Sequence, residues 1–188
     1  MRIIAGNFKG KKLFLPKNRL IRPLRDLVKE SIFNIIQHSH DFKTPIDNSI
    51  VLDLFAGSGS FGIECISRGA KKVYFFEKNF DAIKILKKNI NSLNHQSQYK
   101  IIEQDCFIFF KKIKKFETKC DIIFIDPPYQ EPEINSIVND IVKKKILNKD
   151  GVLIIHRHKS DKITLTNNLK IFKISKYGIS NIFFATNS

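Results

Sequence analysis

Asp126-Pro127-Pro128-Tyr129 closes the apolar run at 122–125 and brings together a carboxylate, two rigid carbonyls and an aromatic ring. Proline fixes φ and has no N–H, so no donor competes at those two positions. Such a set suits an exocyclic amino group. The Asp126 carboxylate and the Pro127 carbonyl can each accept one of its hydrogens, and Tyr129 offers a face for a base. Stacking of that kind is worth about 1–3 kcal/mol per base. The plainer reading is that the prolines stop a strand and the tyrosine is a surface residue.

A second constellation lies upstream in "LDLFAGSGSFG", where Gly57, Gly59 and Gly62 match GxGxxG. Between a strand and a helix, such a turn brings backbone close to a ligand and aims helix N–H groups at it. Three acids follow apolar runs: Asp53, Glu77 and Asp105. A nicotinamide dinucleotide and S-adenosylmethionine (SAM) both use such a turn, and Glu77 suits the ribose hydroxyls of either. Asp53 separates them, because a carboxylate repels a pyrophosphate and attracts an ammonium or sulfonium. Asp105 can accept from an adenine amino group. Each acid also has a structural reading: Asp53 as a loop brace, Asp105 as a helix cap.

The elements that must position these groups alternate. Apolar runs at 49–55, 71–77, 99–105, 120–126 and 151–157 read as strands, with helices expected up to Gly69 and at 79–93, 106–115 and 133–146. Uninterrupted apolar strands alternating with helices imply a parallel sheet covered on both faces, an α/β doubly wound fold. Ligands then sit beyond the carboxyl ends of the strands, where all four acids fall. Two further runs, 169–175 and 180–186, flank Tyr177-Gly178, and the second can pair back antiparallel to the first. Residues 1–45 form a separate region: two short strands around Gly6 to Gly10 as a β-hairpin, then a helix with Leu27, Val28, Ile32, Ile35 and Ile36 at helical spacing.

The chain of 188 residues is 43% apolar and 27% charged, which suits a globular domain with a core. Its net charge of +15 favours a polyanion, foremost nucleic acid. A coding bias toward Lys explains Lys over Arg, but not 33 basic against 18 acidic residues. The basic arm at residues 1–25 has no acid, and Lys9, Lys11, Lys12, Arg19, Arg22 and Arg25 are its candidate RNA contacts. The cysteines Cys65, Cys106 and Cys120 are odd in number and form no CxxC, which fits a reduced compartment and no metal site. Without a spanning run or an apolar leader at the start, a cytoplasmic monomer is expected.

"LDLFAGSGSFGIE" with "FIDPPY" resembles the class I SAM-dependent methyltransferases that modify exocyclic amino groups. "RIIAGNFKGKKL", followed by Arg22-Pro23 and "VKESIFN", narrows the resemblance to the RsmD family of 16S rRNA guanine-N2 methyltransferases. It covers nearly the whole chain. It implies a Rossmann-like domain at 46–188, an RNA-contacting arm at 1–45, SAM as donor, and a guanine of the small-subunit rRNA, or of its assembly intermediate, as target. By matched position, Asp53, Phe55, Ala56, Gly57, Ser58 and Gly59 form the SAM loop. Glu77 takes the ribose with Lys78 beside it, Asp105 and Cys106 the adenine, and Asp126, Pro127, Pro128 and Tyr129 the guanine. Leu24 and Arg25 stand where the family has small hydroxyl residues, and His156-Arg157 where it ends a strand in glutamate; His156 to His158 read most simply as a further phosphate-facing patch, with a catalytic His as the alternative. The rival functions are an amino-methyltransferase of adenine or cytosine in DNA, a non-catalytic rRNA assembly factor, and, last, a nicotinamide oxidoreductase.

Overall fold

Apolar strands with side chains buried on both faces, as in β1 and β4, need cover on both faces, and the chain supplies it with helices. In the computed structural model, residues 1–16, 24–39, 44–93, 98–128, 131–161, 163–166 and 168–188 are described. Along the chain run α1 (Asp26–His38), β1 (Ile50–Leu54), α2 (Ser60–Ser67), β2 (Lys72–Phe76), α3 (Phe80–Asn91) and β3 (Tyr99–Ile102). They are followed by α4 (Cys106–Lys112), β4 (Cys120–Ile125), α5 (Ile134–Lys143), β5 (Leu147–His158), β6 (Leu169–Tyr177) and β7 (Ser180–Asn187).

The sheet order is β3-β2-β1-β4-β5-β7-β6, with the first five strands parallel. β7 lies between β5 and β6 and runs antiparallel to both. The antiparallel pairing of the last two runs is therefore present, but the final strand enters the sheet and leaves β6 at its edge. Chain order reverses at β1 and β4, so the crevice at their carboxyl ends is the switch point of the sheet.

Alternation along each strand divides the core. Val51, Phe124 and Ile154 pack on one face with Val28, Phe33, Phe61, Ile63, Leu86 and Ile90 of α1 to α3. Leu52, Ile123 and Ile155 pack on the other with Phe107 and Phe110 of α4 and with Ile137 and Ile141 of α5. Gly62 lets α2 sit close to β2: a Cβ there would lie 2.3 Å from the Phe75 ring. Helix α5 stops at Lys143 because Lys145 turns to φ 52° and Ile146 N–H returns to the Ile141 carbonyl at 3.0 Å. The expected helices at 106–115 and 133–146 are thus shorter, and β5 starts before Gly151.

The arm departs most from expectation. Its two strands reduce to one antiparallel bridge, Arg2 with Lys12. The backbone groups that a longer hairpin would pair go to α2 instead. Ile4 and Ala5 N–H donate to the Glu64 carboxylate at 2.7 and 2.9 Å, Asn7 N–H to the Ser67 carbonyl at 2.7 Å, and Phe8 N–H to Ser67 Oγ at 3.0 Å. Glu64 is fully buried and also pairs with Arg68 Nε at 2.9 Å and Lys29 Nζ at 3.6 Å. Lys29 Nζ, equally buried, donates to the Arg2 carbonyl at 2.7 Å. Burial lowers the pKa of Lys29, against the pull of Glu64. Among the described residues no helix is long and apolar enough to cross a membrane.

Candidate active site

Beyond the carboxyl ends of β1, β2 and β4 lies a cavity of about 280 Å³. Every residue expected in the cofactor loop and acid set lines it except Gly59, which caps α2 at φ 81°. Asp126, Pro127 and Pro128 line it too. The expected Tyr129, Arg19 and Arg22 lie outside the described residues.

The turn after β1 is tightly wound. Phe55 and Gly57 both take positive φ, 63° and 56°. That is strained for Phe55, and its packing on Phe107, with ring centroids 5.6 Å apart, helps to hold it. Glu77, at the end of β2, grips this turn: its Oε2 accepts from Gly57 N–H at 2.7 Å. Its Oε1 accepts from the N–H groups of Lys78 and Asn79 at 2.9 and 2.8 Å. A carboxylate oxygen takes two donors, so Oε2 retains capacity for a hydroxyl.

Asp53 is 1% exposed and accepts from Gly62 N–H at 3.0 Å. It is therefore both a brace of the loop and a wall of the cavity. Burial pushes its carboxyl up to about 8; the charges of Asp126 and Glu77 add to this, and the Gly62 N–H opposes it. Asp105 is likewise both a helix cap and a wall of the cavity. Its Oδ1 caps α4 through Phe107 and Ile108 N–H, at 2.8 and 3.3 Å, and its Oδ2 pairs with Lys78 Nζ at 2.8 Å. Burial pushes its pKa up, but Lys78 and the two N–H groups outweigh this and hold it below the ordinary value. Burial pushes the Cys106 thiol up to about 12, so it lines the wall as a small neutral group.

The charge of this cavity runs against that of the chain. Among the described residues its lining carries the acids Asp53, Glu77, Asp105, Asp126 and Glu131 and one base, Lys78, which Asp105 already engages. The whole chain carries +15. Acids gathered at helix and strand ends in a basic protein select a cation and repel a pyrophosphate. The residues present thus fit the ammonium and sulfonium of SAM. Among the described residues no group of three or more His, Cys, Asp or Glu could hold a metal ion.

The His156–His158 patch is a correction. His156 and Arg157 are each 4% exposed, so they do not face phosphates. His156 Nδ1 lies 2.8 Å from Asp126 Oδ1. Arg157 donates to the carbonyls of Pro128 at 3.2 Å and Glu131 at 3.0 Å. In the arm, Lys9, Lys12 and Arg25 are exposed, whereas Lys11 is half-buried and donates to the Ser92 carbonyl. Pro16, which the sequence did not single out, and Leu24, noted there only as a departure from the family, bring the arm side of the molecule into the cavity wall.

The chain resembles known proteins over its full length. A family model described as "Conserved hypothetical protein 95" matches residues 1–186. A putative rRNA methyltransferase, YlbH, of Bacillus subtilis is 32% identical over 97% of this chain and 96% of its own. The ribosomal RNA small subunit methyltransferase D of Buchnera aphidicola is 34% identical over 91% of this chain and 85% of its own. The crystal structure of a putative methylase from Haemophilus influenzae superposes with a TM-score of 0.80, at 29% identity, over 99% of this chain and 97% of that one. On the match across residues 1–186 and these relatives, the chain belongs to the Conserved hypothetical protein 95 family, the RsmD family that its arm and loop motifs resemble.

Proposed function

We propose that the protein transfers a methyl group from SAM to the exocyclic N2 of a guanine in 16S rRNA, within the small ribosomal subunit or its assembly intermediate. The observation that carries this reading is the acid-lined cavity of a basic chain, with Asp126 and the two prolines in its wall. Relatives named rRNA small subunit methyltransferase D support the choice of rRNA.

SAM supplies an electrophilic methyl group carried on a sulfonium. The chain's own residues bind and orient. The Gly57–Gly59 turn and Glu77 hold the nucleoside portion of the donor, and buried Asp53, drawn into its ionised form by the donor's positive charge, faces that charge. The target base leaves its stack, as a base must when its edge is modified. Tyr129 stacks on it, while the Asp126 carboxylate and the Pro127 carbonyl accept its amino hydrogens. That aims the nitrogen lone pair at the donor's methyl carbon. As the N–C bond forms, the S–C bond breaks and a neutral thioether leaves. Asp126 stabilises the positive charge that grows on N2, and the displaced N2 proton passes to solvent. Residues 1–45 serve as the RNA-contacting arm of the 46–188 methyltransferase domain, with Lys9, Lys12 and Arg25 on exposed ground. Phosphate contacts of this kind set affinity and register rather than sequence. Cytoplasmic action as a monomer belongs to the same proposal.

Asp126→Ala tests the assignment. Methyl transfer to unmodified 30S subunits is expected to disappear while SAM binding persists. Turnover near that of the unaltered protein would remove Asp126 from the role.

A further inference from the structure

Parallel pairing of β4 with β5 sets Ile125 opposite Ile155, so the next residue on each strand, Asp126 and His156, stand side by side. The imidazole is almost wholly buried, and its Nδ1 lies 2.8 Å from Asp126 Oδ1. The neighbouring Arg157 secures the loop that follows Asp126, through the Pro128 and Glu131 carbonyls, and pairs with Asp161 at 2.7 Å. The end of β5 therefore holds both the carboxylate and the backbone of the segment assigned to the target base.

We infer that His156 is a positioning residue for methyl transfer: its Nδ1–H donates to Asp126 Oδ1 and leaves Oδ2 to accept the amino hydrogen. The inference rests on the reading of Asp126 as that acceptor. The χ2 torsion of an aspartate is broad and roughly two-fold, so an untethered carboxylate samples many orientations. One fixed donor on one oxygen removes that freedom before the base arrives, which is where orientation contributes most. With its proton on Nδ1, the imidazole does this through a single N–H. An arginine or lysine at 156 would hold the carboxylate as firmly, but would oppose the positive charge developing on the amine.

Two measurements decide it. In the 15N spectrum of the ligand-free protein, the His156 imidazole, identified by its loss in His156→Asn, is expected to be protonated at Nδ1. It should change tautomer balance in Asp126→Ala. An Nε2-protonated ring in the unaltered protein would overturn the inference whatever the activity. In steady-state transfer to 30S subunits, His156→Leu is expected to lower kcat about 10²-fold, with KM for RNA and the Kd of SAM within about threefold. His156→Asn, whose amide can place a donor at the Nδ1 position, should recover most of kcat. Equal loss in the Leu and Asn variants, or kcat within twofold of normal in His156→Leu, would overturn it. Absence of transfer by the unaltered protein would count against the proposed function itself, and the 15N result would still decide the contact.

Discussion

Glu77 Oε2 accepts the Gly57 N–H at 2.7 Å, which ties the turn after β1 to the end of the neighbouring strand. One carboxylate thereby shapes the loop and keeps a lone pair toward the cavity it lines. Glu77→Ala leaves three N–H groups, those of Gly57, Lys78 and Asn79, without this acceptor. The expected result is a loss of about 1–3 kcal/mol in stability and a SAM affinity at least about tenfold weaker. Calorimetric titration with SAM beside denaturant unfolding measures both. Unchanged affinity would remove Glu77 from the donor site.

The raised pKa of Asp53, about 8 against 3.8 unperturbed, gives the ligand-free protein a signed dependence on pH. Below about pH 4 both folded and unfolded chains hold the proton, and the burial costs nothing. As pH rises, the unfolded chain ionises first, so this group's contribution to stability falls until the folded carboxyl has ionised near pH 8. Asp53→Asn keeps an acceptor for Gly62 N–H and carries no charge. It should be more stable than the unaltered protein at pH 8, yet bind SAM at least about tenfold more weakly. SAM affinity should rise between pH 6 and 8 only where Asp53 is present, since a bound cation favours the ionised form. A less stable Asn variant at pH 8 would contradict the assigned cost.

Gly6 holds the arm against α2. Its φ is +79°, and a Cβ would meet the Ser67 carbonyl oxygen at 1.8 Å. Gly6→Ala must strain the turn or lift the arm, at about 1–3 kcal/mol. Hydrogen exchange should quicken at Ile4, Ala5, Asn7 and Phe8, whose amides bond to α2. Affinity for 30S subunits should fall with little change in SAM binding. Unchanged exchange at those four amides would show that the arm is held by other means.

The loop after β1 was legible because its signal is local: glycines at fixed spacing between an apolar strand and a helix. The acids were legible for the same reason, each ending an apolar run. Asp53 and Asp105 each carried two readings, and the fold shows the structural one while leaving each at the cavity wall, because a cap or brace at a strand end also faces the crevice. The contact of His156 with Asp126 was not legible, because the two are 30 residues apart and meet only through β4–β5 register, which no local pattern encodes. Lys29 and Glu64 drew no reading in the sequence, yet both are fully buried in the fold. The arm's short bridge also lay beyond reach: its amides bond to Glu64 and Ser67, some 60 residues on.

The central claim is most directly tested by incubating the protein with methyl-labelled SAM and small subunits that lack this modification, then mapping the label. The expected result is one guanine of 16S rRNA carrying the label on N2, with none after Asp126→Ala. Label on an adenine or cytosine, or none in either the 30S subunit or naked 16S rRNA, would contradict the account.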